Sequence, residues 1–378
     1  MRRHLVVACA TLILLANGGL AAAQDTELPQ IPQTLKAGQA CTSSSAKNVP
    51  SVPWQLPYLG AERVWGLSTG EGVMVAVVDT GVDGSVLPVQ PIGDAGTDCV
   101  GHGTVVASLI ALPAAEGAKV SGLAPGARIL AVRGTDNAGT ANAATIAGAL
   151  DSAVSAGARI ICVAAAITDA DPGLKQAVDR AIAAGTLVVA AAGQDVIKTS
   201  DVSPGPYYPA AFPGVLAVTS IGPDGKPDEK AAPVPGGLAA PGNLVVGKGP
   251  GGGAVVGAGP AFAAAQVAAA AALVRAYRPE ISAADLARRL RDTAYPQAGV
   301  SVLDPFAALT SVATAAGTTA AHREKVALAP LVDRGPTRRA ALSVVAGVVV
   351  AVSLLGAAAV VVPRGRRRGW RAGGDGAS

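Results

Sequence analysis

Residues 72–82 read Gly72-Val73-Met74-Val75-Ala76-Val77-Val78-Asp79-Thr80-Gly81-Val82, an apolar run that ends on a carboxylate and a turn. With no polar alternation, such a run predicts a strand buried on both faces, as in a parallel sheet. The pattern recurs in Ala127–Val132 (ARILAV), Arg159–Val163 (RIICV), Leu187–Ala191 (LVVAA) and Val215–Val218 (VLAV). Helix-like stretches lie between these runs at 103–111, 140–156 and 173–184, the last opening at Pro172 and closing at Gly185. Farther on, Ala261–Tyr277 predicts an Ala-rich helix stopped by Pro279, and Ser282–Asp292 another with Ser282 as its N-cap. Strands alternating with helices predict an α/β fold: a mostly parallel sheet flanked by helices.

The composition limits what fills that fold. Aromatics are 3% of residues while Gly alone numbers 47, so the core must be built from small aliphatic side chains. A mean hydropathy of +0.42 points to membrane segments that raise the average. The net charge is +4, and Arg366, Arg367 and Arg368 supply three of those charges. No basic face is left to argue for nucleic acid.

Both ends carry targeting signals. Met1-Arg2-Arg3, an apolar run from Leu5 to Leu15 and the small residues Ala21-Ala22-Ala23 predict a signal peptide over 1–23, which takes Cys9 with it. Residues 24–54 are rich in Pro, Ser, Thr and Gln and read as an irregular extension with few apolar residues to hold it down. Ala340–Val362 is 23 residues without a charge. At 1.5 Å per residue that is about 34 Å of helix, enough to cross a ~30 Å hydrocarbon core. Five arginines and Trp370 follow within Arg364–Arg371, which places the tail 363–378 in the cytoplasm and the body outside. A linker, 311–339, joins body to span. Three cysteines remain after export, Cys41, Cys99 and Cys162, and three pairings can be drawn among them.

Three segments carry chemistry. Asp79 sits at the C-terminal end of a strand, where open α/β sheets put their sites. Gly101-His102-Gly103-Thr104 places a histidine at the start of a helix, and a third segment opens the helix at Pro260-Ala261-Phe262. Singly, a strand-terminal Asp is more often a turn former and a lone histidine a structural residue. Together they follow the order Asp, His, nucleophile of a Ser-His-Asp triad, in which the aspartate orients the imidazole and the imidazole takes the serine proton.

In that order, residues 55–310 resemble the subtilases, peptidase family S8. Ser121–Ala127 (SGLAPGA), Tyr208–Val215 (YPAAFPGV) and Ala239–Gly242 (AAPG) resemble further subtilase segments. The plan is closer still to the mycosins, subtilases associated with type VII secretion in actinobacteria. Shared features are the signal peptide, the extension, Cys99 three residues before His102, the Pro-rich linker and the C-terminal span. The resemblance implies an extracytoplasmic, membrane-anchored domain whose partners are type VII secretion membrane components. It also implies a Cys41–Cys99 bridge between extension and histidine loop, leaving Cys162, inside the RIICV strand, as a buried thiol. It implies no cofactor and no metal.

The departures concern catalysis. Subtilases carry Gly-Thr-Ser at the start of the nucleophile helix; here the segment reads Gly259-Pro260-Ala261, so the nucleophile position is Ala261. From Ile221 to Ile281 there is no Ser, Thr or Cys, and no shift of register supplies a nucleophile. In subtilisin, loss of the serine alone costs about 2 × 10⁶ in kcat. The oxyanion Asn of the family corresponds to Gln194, one methylene longer, so its amide would donate from a displaced position. Asp79 and His102 thus read as triad remnants in a pseudoprotease that serves as a structural or binding component. The competing readings are an active serine endopeptidase processing secreted substrates and a module holding a peptide or protein ligand in the old cleft. Gly242–Gly249 nearly spells a phosphate-binding loop but lacks the Ser/Thr for Mg²⁺, and reads as a Gly-rich coincidence.

The charge asymmetry about 340–362 fixes an expected topology. In a cysteine-free variant, a reporter cysteine at position 320 should react with an impermeant thiol reagent on intact cells and one at 375 should not. The opposite pattern would invert the assignment.

Overall fold

The computed structural model describes residues 27–195, 205–227, 234–312 and 335–369. The expected signal peptide therefore lies outside the described residues, as do most of the linker and the last nine residues. Residues 27–312 form one compact unit and the C-terminal helix belongs to a second.

In chain order the first unit holds α1 (Gln55–Tyr58), α2 (Ala61–Trp65), β1 (Met74–Asp79), β2 (Val89–Pro91), α3 (His102–Ala111), β3 (Arg128–Arg133), α4 (Ala143–Ser155), β4 (Ile160–Val163), α5 (Pro172–Ala183) and β5 (Leu187–Ala191). There follow β6 (Leu216–Ile221), β7 (Leu238–Pro241), β8 (Asn243–Lys248), β9 (Ala254–Ala258), α6 (Pro260–Tyr277), α7 (Ala283–Asp292), β10 (Tyr295–Gln297), β11 (Val300–Val302) and α8 (Pro305–Thr310). Among the described residues the main sheet runs β10-β11-β7-β6-β5-β4-β1-β3-β2. Every pairing from β2 to β11 is parallel, and only β10 joins β11 antiparallel.

Strand order turns at β1, which lies between β3 (Asp79 opposite Arg133) and β4 (Val78 opposite Val163). Successive crossovers leave β1 on opposite sides, so a crevice opens at its C-terminal end. Asp79 is the last residue of that strand.

Two apolar layers sandwich the sheet. On one face α3 and α6 form the core, joined by side chains of α1, α2, α7 and α8. On the other, α4 and α5 cover the remaining side chains. Helix starts follow local chemistry: Asn142 and Thr145 cap α4 reciprocally, Asp171 accepts the Leu174 N–H ahead of Pro172 in α5, and Ser282 accepts the Asp285 N–H in α7. From Ala261 to Val274 every residue of α6 is buried. Nine alanines in that stretch let the helix lie close to the sheet, and a larger side chain there would cost about 1–3 kcal/mol in overpacking.

The expected bridge is present: Cys41 and Cys99 are disulfide-bonded across a sequence separation of 58, and Cys162 is a buried free thiol. The extension departs from expectation. Ile31 and Leu35 are buried. Along β9 the Val256 N–H donates to the Pro29 carbonyl and the Val256 carbonyl accepts the Ile31 N–H, while the Leu35 N–H donates to the Ala138 carbonyl and the Ala254 N–H to the Lys47 carbonyl. A few well-placed aliphatic side chains and strand-like pairing hold a segment that looked too polar to pack. The Gly242–Gly249 stretch does follow a strand, β7, but it continues into β8 of the antiparallel β8–β9 hairpin rather than into a helix, and so is no phosphate loop.

In the second unit, α9 (Gly335–Arg367) contains Ala341–Arg367, a helix long and apolar enough to cross a membrane. It covers the expected span.

Reduction of the disulfide should therefore open only the stretch between Lys36 and Ser44 to limited proteolysis. Reduction combined with Ile31→Asp should free the extension as far as residue 48. Cleavage before Leu35 after reduction alone, mapped by mass spectrometry, would show that the bridge carries the whole extension.

Candidate active site

The site forms where β1 ends and α3 begins. Asp79 and His102 are both buried, 2% exposed each. His102 Nδ1 lies 2.9 Å and 2.8 Å from the two Asp79 carboxylate oxygens, and Asp79 Oδ1 also accepts the Thr80 N–H at 2.7 Å. The glycines around the histidine have a steric reason. A Cβ on Gly103 would stand 2.1 Å from the Gly81 carbonyl oxygen and 3.0 Å from Asp79 Cβ. Gly101 has φ +87°, and a Cβ there would meet Pro250 at 2.5 Å. Only this Gly-His-Gly run lets α3 start against the end of β1.

A second carboxylate fixes the start of α3. Asp98 accepts from Thr80 Oγ1 (2.8 Å), the Gly101 N–H (2.7 Å), the Thr104 N–H (2.9 Å) and Thr104 Oγ1 (2.7 Å). Thr80 Oγ1 in turn accepts the Gly103 N–H at 3.0 Å, and Arg133 donates to the Thr80 carbonyl. Burial raises the Asp98 pKa above the usual carboxylate value, with the Thr104 and Gly101 hydrogen bonds opposing.

Beyond the imidazole, Nε2 meets a third carboxylate, Asp195 Oδ2, at 2.7 Å. Asp195 Oδ1 accepts the Ala261 N–H at 3.0 Å. Ala261 is the second residue of α6 and is fully buried; the neighbouring Phe262 ring lies 5.0 Å from the imidazole centroid. Gln194 lines a cavity of about 130 Å³ together with Asp79, His102, Thr135, Ala164 and Gln33 of the extension. The four sequence-derived positions thus converge: Asp79 and His102 bond directly, Ala261 joins them through Asp195, and Gln194 borders the same cavity.

Burial alone would depress the His102 pKa. The Asp79 charge, the hydrogen bonds to Asp195 and Asp79, and the Asp195 charge outweigh it, and hold the imidazole well above its ordinary value. Burial raises Asp195 above the ordinary carboxylate range, while the His102 hydrogen bond and charge and the Ala261 N–H pull it back. Burial and the Asp79 charge push the Cys162 thiol upward, so it stays protonated and inert. Chemically the arrangement stores a proton between carboxylates, and both imidazole nitrogens are engaged. No group of three His, Cys, Asp or Glu side chains among the described residues is placed to hold a metal ion.

Residues 70–325 match the model of the subtilase family. The chain belongs to that family. Among relatives of this subtilase, Mycosin-1 of Mycobacterium tuberculosis is 33% identical over 369 residues, which cover 80% of this chain and 82% of the relative. The crystal structure of MycP1 from Mycobacterium smegmatis matches with a TM-score of 0.67 at 27% identity, over 80% of this chain and 95% of that one. A chain in the structure of the periplasmic assembly from the ESX-5 inner membrane complex matches with a TM-score of 0.62 at 30% identity, over 78% and 92%. The mycosin-like subtilase fold inferred from motifs is therefore established.

Two residues escaped sequence reasoning. Asp98 precedes Cys99 and follows Thr97, with nothing to distinguish it from a loop acid. Asp195 had one usable signal, its position next to the oxyanion segment Ala190–Gly193.

The raised His102 pKa has a direction in pH. Its folded value exceeds the unfolded ~6.5, so its contribution to stability is complete below about pH 6.5 and is lost as pH rises through the folded value. The stability gap between wild type and His102→Gln, measured by urea unfolding, should be widest in acid and narrow in alkali; a gap that widens with pH would contradict the charged ring. Asp79→Asn should cost about 3–5 kcal/mol at neutral pH, as for a buried pair stripped of one partner.

Proposed function

We propose that this mycosin-like subtilase is a pseudoprotease, anchored in the cell membrane by α9 with its subtilase unit on the extracytoplasmic side and its tail in the cytoplasm. It serves as a structural or binding component of a type VII secretion membrane complex. The observation that carries the reading is the side chain at the start of α6, where the family register puts the nucleophile. It is Ala261, and no Ser, Thr or Cys lies between Ile221 and Ile281 to replace it. General-base chemistry needs a group to activate. Here both groups on His102 are carboxylates. Gln194 in place of the oxyanion Asn adds to the reading.

The partner class is supported by the match to a chain within the solved ESX-5 inner membrane complex, over 88% of this chain at 28% identity. Among the described residues, the cavity beside His102 is about 130 Å³ and is bordered by Gln33 and Thr34 of the extension, which supports a structural role over peptide holding.

The purified full chain in detergent should neither react with a fluorophosphonate probe nor cleave casein, and cross-linking in the native membrane should recover secretion-complex membrane proteins. Labelling of any serine that disappears in His102→Ala would establish a working protease instead.

A further inference from the structure

The carboxylate of Asp195 makes two contacts that an active serine hydrolase reserves for chemistry. Its Oδ2 takes Nε2 of the histidine, the nitrogen that receives the nucleophile's proton. Its Oδ1 takes the backbone N–H of Ala261 in the first turn of α6. In hydrolases of this type the amide of the nucleophile residue is an oxyanion donor, aimed at the charge that develops on the substrate carbonyl. The side chain is only 5% exposed. An anion at a helix N-terminus, with charge-assisted hydrogen bonds to an imidazolium and an amide, is favourably placed.

The surroundings are shaped to admit it. Gly259, immediately before α6, has φ +145°, a conformation open to glycine. A Cβ built there would stand 2.0 Å from Asp195 Oδ1 and 2.4 Å from its Cγ. On the other flank, the Asp195 N–H donates to Gln33 Oε1 at 3.2 Å, so the extension braces the same residue. Charged or titratable groups around the ring come from each neighbouring element: Asp79 from β1, Asp195 from the loop after β5, Asp98 behind Thr80 and Thr104, Arg133 from β3 through the Thr80 carbonyl, and Cys162 from β4.

We infer that Asp195 is a built-in occupant of the nucleophile and oxyanion subsites, an autoinhibitory contact that closes the site to water, to a substrate carbonyl and to a serine restored at position 261. The inference rests on the pseudoprotease reading only in taking Ala261 as the nucleophile position. It adds that removal of the serine is one of two separate obstructions, and that the second is an acid side chain competing for His102.

The test uses the full chain in detergent and two readouts. First, fluorophosphonate labelling rates are compared for Ala261→Ser and for Ala261→Ser with Asp195→Ala. The single variant should label no faster than wild type and the double variant at least about tenfold faster. Equal rates in the two, whether fast or undetectable, would overturn the proposal. Second, His102 is titrated by NMR of the histidine-labelled chain. His4, His102 and His322 are the only histidines in the sequence; signal cleavage and His322→Gln leave His102 alone. The His102 pKa should fall by at least one unit in Asp195→Ala and partway in the isosteric Asp195→Asn, which also controls for folding. An unchanged value in both variants would overturn the contact. Labelling of the wild-type chain would refute the pseudoprotease reading while leaving the titration to decide on Asp195.

Discussion

One buried imidazole, held at both nitrogens by carboxylates, is the interaction around which the rest of this molecule is arranged. A protonated histidine in an apolar interior is tolerable only if its charge is matched and both its N–H groups are used. Asp79 meets the first need from the end of β1, and Asp195 meets the second from the loop after β5. Because one acid ends β1 and the other, which also takes the Ala261 N–H, lies in the loop after β5, the ring ties the centre of the sheet to the start of α6. Asp98 then fixes the backbone from which the ring hangs.

The packing that makes this geometry available depends on small side chains. Glycines at 81, 101, 103 and 259 leave gaps of about one methyl group, and each gap is filled by backbone, a proline ring or a carboxylate. The alanine-lined α6 obeys the same rule on a larger scale. A core of this kind gains less from burial per residue than one built on aromatics, and it compensates by close approach of main chain to main chain. It is intolerant of added volume, which explains how a single residue without a Cβ can decide what occupies the site.

Much of this was legible in the sequence. Five apolar runs became the parallel strands β1, β3, β4, β5 and β6, because residues buried on both faces leave no polar alternation to confuse with anything else. Helices α3 to α7 followed from periodicity and end signals, although α4 starts at Ala143 rather than 140 because Asn142 is its cap. The illegible parts share a cause. The β8–β9 hairpin is built mostly of Gly, Ala and Val whose partners lie across a Gly-rich turn, and β10 and β11 are three residues each. The extension owes its order to the buried Ile31 and Leu35, to main-chain pairing with β9 and to the bridge to Cys99, all of them partnerships with distant chain. Asp195 reaches His102 across a sequence separation of 93 and Ala261 across 66, and no local pattern marks such a contact.

The bridge between Cys41 and Cys99 makes the surroundings of the site depend on redox conditions. Cys99 follows Asp98 directly, so the loop that anchors the start of α3 is gripped on one side by Thr80 and Thr104 and on the other by sulfur. A disulfide persists only where the surroundings are oxidising. Under reducing conditions this loop is held on its hydrogen-bonded side alone. The two fastenings thus differ in kind: hydrogen bonds that form wherever the chain folds, and a covalent link whose presence records the redox conditions the molecule has met.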